Sequence, residues 1–318
     1  MQGNEKLSTK ALVLRALRQS QKAVSGEELA AALGISRTSI WKAVQALQNS
    51  GYKIESQKNG YLLADKNLDS IYPFEFESDE NLHAHFQKVG STMTEARKIA
   101  LQALEENNFQ EKLVSADEQS AGRGRGSHGW KTTGGSLAFT LVTFPKILAH
   151  DSGRLLMAAQ IAMVWALEKK AGRKFYARWP NDIWSERGKV GGILDEALFS
   201  GGLCSYVNLG VGANISQCPK ISGVDKAFEK NLPGARKESL AAFVEEFSKA
   251  KKIALSNTRD LQKIWNKMNF DNQKKVRVAG MEEFIFEGID SKGWALMRSA
   301  NGGEKKKFSP GSISYEKR

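Results

Sequence analysis

Cysteine and histidine are scarce in this chain: two of the first, Cys204 and Cys218, and four of the second in 318 residues. Two thiols without a partner motif or metal-ligand spacing exclude a disulfide framework and a zinc site, and read as small apolar or surface residues. His83 and His85 can share one face of a strand, but without cysteine or carboxylate company they do not make a metal site. Long hydrophobic runs are missing too. Residues 155–167 form one of the longest, contain Gln160, and are too short to span a bilayer. The N-terminus lacks the apolar core of a signal peptide, so a cytoplasmic protein is expected. Two phosphate-binding fingerprints are also absent. Gly188-Lys189 is followed by Val190, so there is no P-loop, and Gly122, Gly124 and Gly126 alternate where a dinucleotide fold needs a wider third spacing and an immediate helix.

What is present is the composition of a soluble globular protein, 41% hydrophobic and 26% charged, long enough for two or three domains. The formal net charge of +12 suggests a polyanionic partner. Residues 1–64 carry nine Lys plus Arg against four Asp plus Glu, an excess of five on a fifth of the chain. Nucleic acid is therefore expected to bind there.

Periodicity predicts three helices in that segment. The first spans residues 8–20 behind a Ser8 or Thr9 cap; the second follows Ser25 and is ended by Gly34; the third runs from Ser36 to about Ser50. Ile40, Val44 and Leu47 face the core, leaving Thr38, Lys42 and Gln45 outward, with Arg37 near the helix start placed to meet a phosphate or base edge. Lys58-Asn59-Gly60, between two alternating stretches, predicts a hairpin. Helix-turn-helix plus hairpin is a winged helix, a module that binds DNA or, in other settings, protein. We place this domain at 1–65 and a linker at 66–81, where Tyr72-Pro73-Phe74 and the acids Glu75, Glu77, Asp79 and Glu80 break the periodicity.

From 82 to 270 strands and helices mix without strict alternation, so an α+β domain is expected rather than a doubly wound sheet. A helix from about Met93 should be capped by Ser91 or Thr92. Residues 117–130 form a basic glycine loop, whose three alternating glycines are expected to free the backbone for unusual dihedrals. Arg123 and Arg125 keep their charge at physiological pH and suit an anion. Next come Arg178-Trp179-Pro180-Asn181-Asp182, with amide, carboxylate and water-excluding indoles, and Lys189 on a strand whose Gly191-Gly192 leaves room for a ligand against the backbone. Lys189 can reach a carboxylate and a nucleotide phosphate together. A further strand ends in Gly210-Val211-Gly212-Ala213-Asn214-Ile215. Each piece alone reads as an ordinary turn or core strand; together they read as one site. Residues 271–318 hold short strands between glycine turns, as in a small β-barrel, and Lys305-Lys306-Lys307 reads as a solvated face.

These motifs, in this order and spacing, resemble the bifunctional biotin protein ligases that also repress biotin genes, over nearly the whole chain. The resemblance implies a central mixed α/β ligase domain of the class II synthetase-like type, flanked by the winged helix and an SH3-like C-terminal barrel. It implies that biotin and ATP, with Mg2+, give biotinyl-5'-AMP, and that biotin then passes to a lysine of a biotin carboxyl carrier protein domain such as that of acetyl-CoA carboxylase. By the same resemblance Lys189, Arg123 and Arg125 are catalytic. Ser91, Thr92, Gln119 and Gly192 join them around biotin, while Trp130, Asn181, Asp182 and Asn214 bind the nucleotide, Asp182 also as a Mg2+ ligand. Operator DNA, contacted by Arg37, Thr38, Lys42 and Gln45, and a homodimer favoured by the bound adenylate complete the implied partners. Met93 stands where many relatives carry asparagine, and Gly126-Ser127-His128-Gly129 replaces a more basic run. The alternatives are a lipoate or octanoate ligase and a non-catalytic biotin-responsive regulator.

Overall fold

The computed structural model describes residues 7–66, 68–76, 80–126, 128–230, 232–278 and 281–310, and the backbone of 315–316. It divides into two compact units, Met1–His85 and Phe86–Arg318.

In the first unit, α1 (Thr9–Gln19), α2 (Gly26–Leu33) and α3 (Arg37–Asn49) precede the hairpin β1 (Ile54–Gln57) and β2 (Gly60–Leu63). Each helix starts where a hydroxyl replaces a missing turn: Ser8, Ser25 and Ser36 accept from backbone amides, and Ser25 with Glu28 forms a reciprocal capping box. Gly34, at φ 65°, ends α2 in the left-handed conformation that glycine tolerates. Ile40, Val44 and Leu47 of α3 join Leu14, Leu17, Leu29 and Tyr52 in one apolar core. The expected linker is corrected here. Phe74 lies in that core, and the Glu75 carboxylate grips Arg18 at 2.5 Å and accepts from the Tyr52 hydroxyl. An aromatic and a buried acid of the right spacing found partners on α1 and near β1, so 68–76 packs as part of the unit; residues 67 and 77–79 lie outside the described residues.

The second unit is built on a seven-stranded sheet of order β3-β4-β5-β9-β8-β7-β6. Its strands are β3 (His83–Val89), β4 (Lys112–Gln119), β5 (Ser136–Thr143), β6 (Tyr176–Arg178), β7 (Asp182–Ser185), β8 (Gly188–Ser200) and β9 (Leu203–Asn214). From β4 to β6 every neighbouring pair is antiparallel. Helix α4 (Thr92–Glu105) sets Ala96 and Ala100 against Val114 and Val142, and α6 (Ala235–Ser256) brings Phe243 edge-on to Phe139 of β5. Helix α5 (Gly153–Ala171), apolar nearly all round and correspondingly buried, packs against α6, and α7 (Thr258–Lys267) packs against both. These elements give the expected α+β arrangement.

Five strands finish the chain, β10 (Lys275–Val278), β11 (Glu283–Ile289), β12 (Ala295–Ser299), β13 (Lys305–Phe308) and β14 (Tyr315–Glu316), in the order β13-β12-β11-β10-β14. The expected barrel is not closed among the described residues: β13 and β14 end the run, and a two-residue β14 offers a single short ladder, to β10. Lys305, Lys306 and Lys307 are exposed as expected, opposite Glu287, Glu282 and Asp290.

Candidate active site

A cavity of about 1070 Å³ opens in the second unit, and all eleven pocket residues named from the sequence line it: Ser91, Thr92, Gln119, Arg123, Arg125, Trp130, Asn181, Asp182, Lys189, Gly192 and Asn214. They come from the start of α4, the end of β4, the glycine loop, the 178–182 turn, β8 and β9.

At α4 the expectation of a hydroxyl cap is half right. Ser91 is the cap residue, yet it makes no side-chain capping bond; the Thr92 amide donates instead to Gln119 Oε1 at 2.8 Å. Thr92 Oγ1 also donates to Gln119 Oε1, at 3.1 Å, and accepts from Thr140 Oγ1 at 2.9 Å. Gln119 therefore caps the helix from the end of β4. The released Ser91 hydroxyl is buried, 4% exposed as a residue, and has no hydrogen-bond partner among the described residues. Asn214 repeats the pattern. Its Nδ2 donates to the Asp225 carbonyl at 3.1 Å, fixing the amide, while Oδ1 is buried without a partner among the described residues. A buried polar atom left unpaired costs about 1–3 kcal/mol, which a ligand's matching donor or acceptor removes.

The glycine loop is a small hairpin. Gly124 N donates to the His128 carbonyl and Trp130 N to the Gly122 carbonyl, both at 2.8 Å. Of its alternating glycines only Gly126, at φ 63°, uses the left-handed region. Gly122 is required for another reason: a Cβ there would collide with the Trp130 carbonyl oxygen. Ser127 lies outside the described residues. The Trp130 ring rests on β9, where a Cβ at Gly212 would stand 2.5 Å from Cε2. Arg123 reaches Glu196 Oε2 at 3.2 Å, whereas the Arg125 guanidinium makes no hydrogen bond among the described residues; the Arg125 carbonyl is in contact with His128 Nδ1 at 3.0 Å.

Opposite the loop, Lys189 Nζ donates to Asp182 Oδ1 at 2.5 Å, an ion pair with Asp182 buried and Lys189 partly exposed to the cavity. Asn181 has a structural task beside its place in the lining: its Nδ2 donates to the Ile193 carbonyl at 2.8 Å, and Ile193 N returns a bond to the Asn181 carbonyl. Gln160, the polar break in the apolar α5, carries the turn from behind. Its Nε2 reaches the carbonyls of Arg178 and Asp182 at 3.3 and 3.2 Å, and Trp265 Nε1 donates to its Oε1. Arg178 is itself fixed by Asp271 Oδ2 at 2.7 Å and lies over the Trp184 ring. Of the paired glycines, Gly192 lines the cavity, but Gly191 answers to a close strand approach, since a Cβ there would stand 2.6 Å from the Gly212 carbonyl.

Residues 9–62 match a model described as an HTH domain, and residues 86–214 match the biotin/lipoate A/B protein ligase family. The chain is 33% identical over 205 residues to the bifunctional ligase/repressor BirA of Bacillus subtilis, 62% of this chain and 61% of that protein. It is 30% identical over 203 residues to the biotin--[acetyl-CoA-carboxylase] ligase of Paracoccus denitrificans, covering 59% of this chain and 85% of that protein. This chain belongs to the biotin protein ligase family. The fold agrees with that of the biotin protein ligase from Aquifex aeolicus in complex with biotin and ATP, at a TM-score of 0.59 and 22% identity, over 74% of this chain and 99% of that one. The match to the Bacillus relative spans about three-fifths of its length, 61%.

In this biotin protein ligase family member, sequence reasoning missed part of the pocket wall. Pro219, Ile221 and Val224, in the segment after β9, line the cavity, and Ile221 is 62% exposed. Nothing local marks an exposed isoleucine in a loop as a wall residue; only the return of the chain to Lys189, through the Lys189–Val224 bridge, does. In the first unit, Arg37, Thr38, Lys42 and Gln45 are all exposed on α3, as expected, and Trp41, 53% exposed, shares their face. The expected Mg2+ site fits poorly: Asp182 is engaged by Lys189, and among the described residues no group of three His, Cys, Asp or Glu could hold a metal ion. Nor is any described helix long and apolar enough to cross a membrane.

Proposed function

We propose that this chain is an ATP-dependent biotin protein ligase and a biotin-responsive DNA-binding repressor. The observation that carries the enzymatic half is the pairing, in one cavity, of two buried unpartnered polar atoms, Ser91 Oγ and Asn214 Oδ1, with the cations Lys189 and Arg125. The neutral hydrogen-bonding atoms suit a urea and a nucleobase or ribose; the cations suit a carboxylate and phosphates.

In this reading a biotin carboxylate oxygen attacks the α-phosphorus of ATP, the bond to the β-phosphate oxygen breaks, and pyrophosphate leaves. Lys189, held in place by Asp182 at 2.5 Å, lies between carboxylate and phosphate and offsets the charge that gathers there. An acceptor lysine amine then attacks the acyl carbon; AMP departs and the amine's proton passes to solvent. Thr92, Gln119 and Gly192 shape the biotin side, Trp130 and Asn181 the nucleotide side, and Arg123 and Arg125 bring the loop over the mixed anhydride, away from water. Mg2+ enters with the ATP phosphates, its customary carriers, so no step depends on Asp182 as a ligand.

The C-terminal sheet is proposed to be the SH3-like domain of the family, and the acceptor a biotin carboxyl carrier protein. For the repressor half, Arg37, Thr38, Lys42 and Gln45 present cation and hydrogen-bonding groups from one exposed helix, as major-groove reading requires. Bound adenylate, by ordering the loop, would favour a homodimer able to place two such helices on a two-fold operator.

The experiment is ATP-dependent transfer of biotin to a purified acceptor domain, detected with streptavidin. Labelling by the wild type that is abolished in Lys189→Ala supports the ligase; labelling with lipoate but not biotin moves the chain to the lipoate or octanoate ligases. Silence with both overturns the enzyme reading. Sedimentation with and without biotin and ATP tests the dimer, which an unchanged mass would refute.

A further inference from the structure

We infer that Glu196 is a positioning residue that latches the glycine loop to the sheet through Arg123, and so sets how long a reactive intermediate is kept from water. The inference rests on the ligase reading. Arg123 and Glu196 are 73 residues apart in sequence and meet at 3.2 Å. Among the described residues this ion pair joins an arginine of the loop to the sheet, beside the packing of the Trp130 ring on β9. On the other side of the carboxylate, Arg97 Nε of α4 stands 3.9 Å from Glu196 Oε1. One carboxylate thus ties together the loop, β8 and the helix whose first turn supplies Ser91 and Thr92.

When the loop lifts, Glu196 turns to the neighbours it already has on the sheet. Its cross-strand neighbour is Asn208 of β9, with the side chains on one face of the sheet. Asn208 is fully buried, and among the described residues neither its Nδ2 nor its Oδ1 has a hydrogen-bond partner; Glu196 Oε1 is likewise buried without one. An amide donor and a carboxylate oxygen so placed give Glu196 a second set of partners, Asn208 and Arg97, once Arg123 departs. Arg97 stays beside the carboxylate whether the loop is closed or open, so the latch releases without stranding a charge. The Arg123 side chain is 51% exposed and that of Glu196 23%, which makes the pair a weak, salt-sensitive tie. A tie of that strength suits a loop that must open at every turnover.

The test uses the full chain with biotin and ATP and no acceptor, following AMP release, which reads escape and hydrolysis of the adenylate. Glu196→Gln, nearly isosteric, is expected to release AMP about threefold faster than wild type, the size of effect an exposed ion pair carries, with KM for biotin and transfer to acceptor in excess little changed. Raising salt should speed release by the wild type and barely affect Glu196→Gln. Glu229→Gln, which removes the exposed pair with Arg187, serves as control and should match wild type. Equal release by Glu196→Gln and wild type, or wild-type release indifferent to salt, overturns the latch. The salt response needs no variant, so a misfolded mutant cannot hide the answer. Wild type that neither releases AMP nor labels an acceptor refutes the ligase reading itself.

Discussion

Replacing Gly212 by alanine probes how the pocket floor and the loop are joined. The added Cβ would stand 2.5, 2.7 and 2.9 Å from Cε2, Cδ2 and Cζ2 of Trp130. Carbon atoms rest at about 3.5–4.0 Å, so the indole must retreat by roughly 1 Å. Overpacking costs about 1–3 kcal/mol when nothing can move. Here the ring belongs to a surface hairpin that can yield, so folding stability should fall by less than ~1 kcal/mol. The larger cost should fall on the ligand, because Trp130 N holds the Gly122 carbonyl and a displaced ring draws the loop from the cavity. A loss of 1–3 kcal/mol in binding is roughly a 5- to 150-fold weaker affinity. Calorimetric titration with ATP, and with biotin, gives the affinities; urea unfolding gives the stability. Gly192→Ala is the contrast, since its Cβ would meet Asp182 Oδ1 and Lys189 Nζ at a tolerable 3.4 Å. Wild-type affinity for both ligands in Gly212→Ala, at an unchanged unfolding midpoint, would mean that Trp130 does not rest on Gly212.

Three further outcomes are expected. Burial, with His85 beside it, holds the His83 imidazole well below its ordinary range, at about 3, so between pH 6.5 and 3 the unfolded chain binds a proton that the folded chain refuses. Stability owed to neutral His83 is complete above pH 6.5 and falls by up to about 1.4 kcal/mol per unit below it; His83→Leu should flatten that acid slope in urea titrations at pH 4.5 to 7, and parallel slopes would refute it. Glu75→Ala removes the partner shared by Arg18 and Tyr52 and should destabilise the N-terminal unit by about 2 kcal/mol, read from its thermal transition, with biotin transfer unaffected. Lys42→Ala should weaken DNA binding nearly uniformly across sequences and reduce the salt slope by about 1, measured by fluorescence anisotropy at several salt concentrations; an unchanged slope would take α3 off the phosphates.

Relations that run along the chain were legible in its sequence. The three helices of the first unit follow from Ser8, Ser25 and Ser36 as caps, Gly34 as a stop and an apolar face repeating every three or four residues, all interactions that close within one or two turns. The pocket's membership was legible as well, because Arg123 to Arg125, Arg178 to Asp182, Lys189 and Asn214 are unusual residue types in specific order, and they do line one cavity. What only the tertiary structure decided is how those groups are spoken for. Sequence offered Ser91 as a helix cap and Gln119 as a ligand contact; folding gave the cap to Gln119 and left the Ser91 hydroxyl unpaired. It turned Gly191 into a close-contact glycine, drew Phe74 and Glu75 out of an expected linker, and set Glu196 under Arg123. Those assignments depend on strand register, which joins positions tens of residues apart. A local pattern can state which face a residue occupies, but not which distant atom waits there.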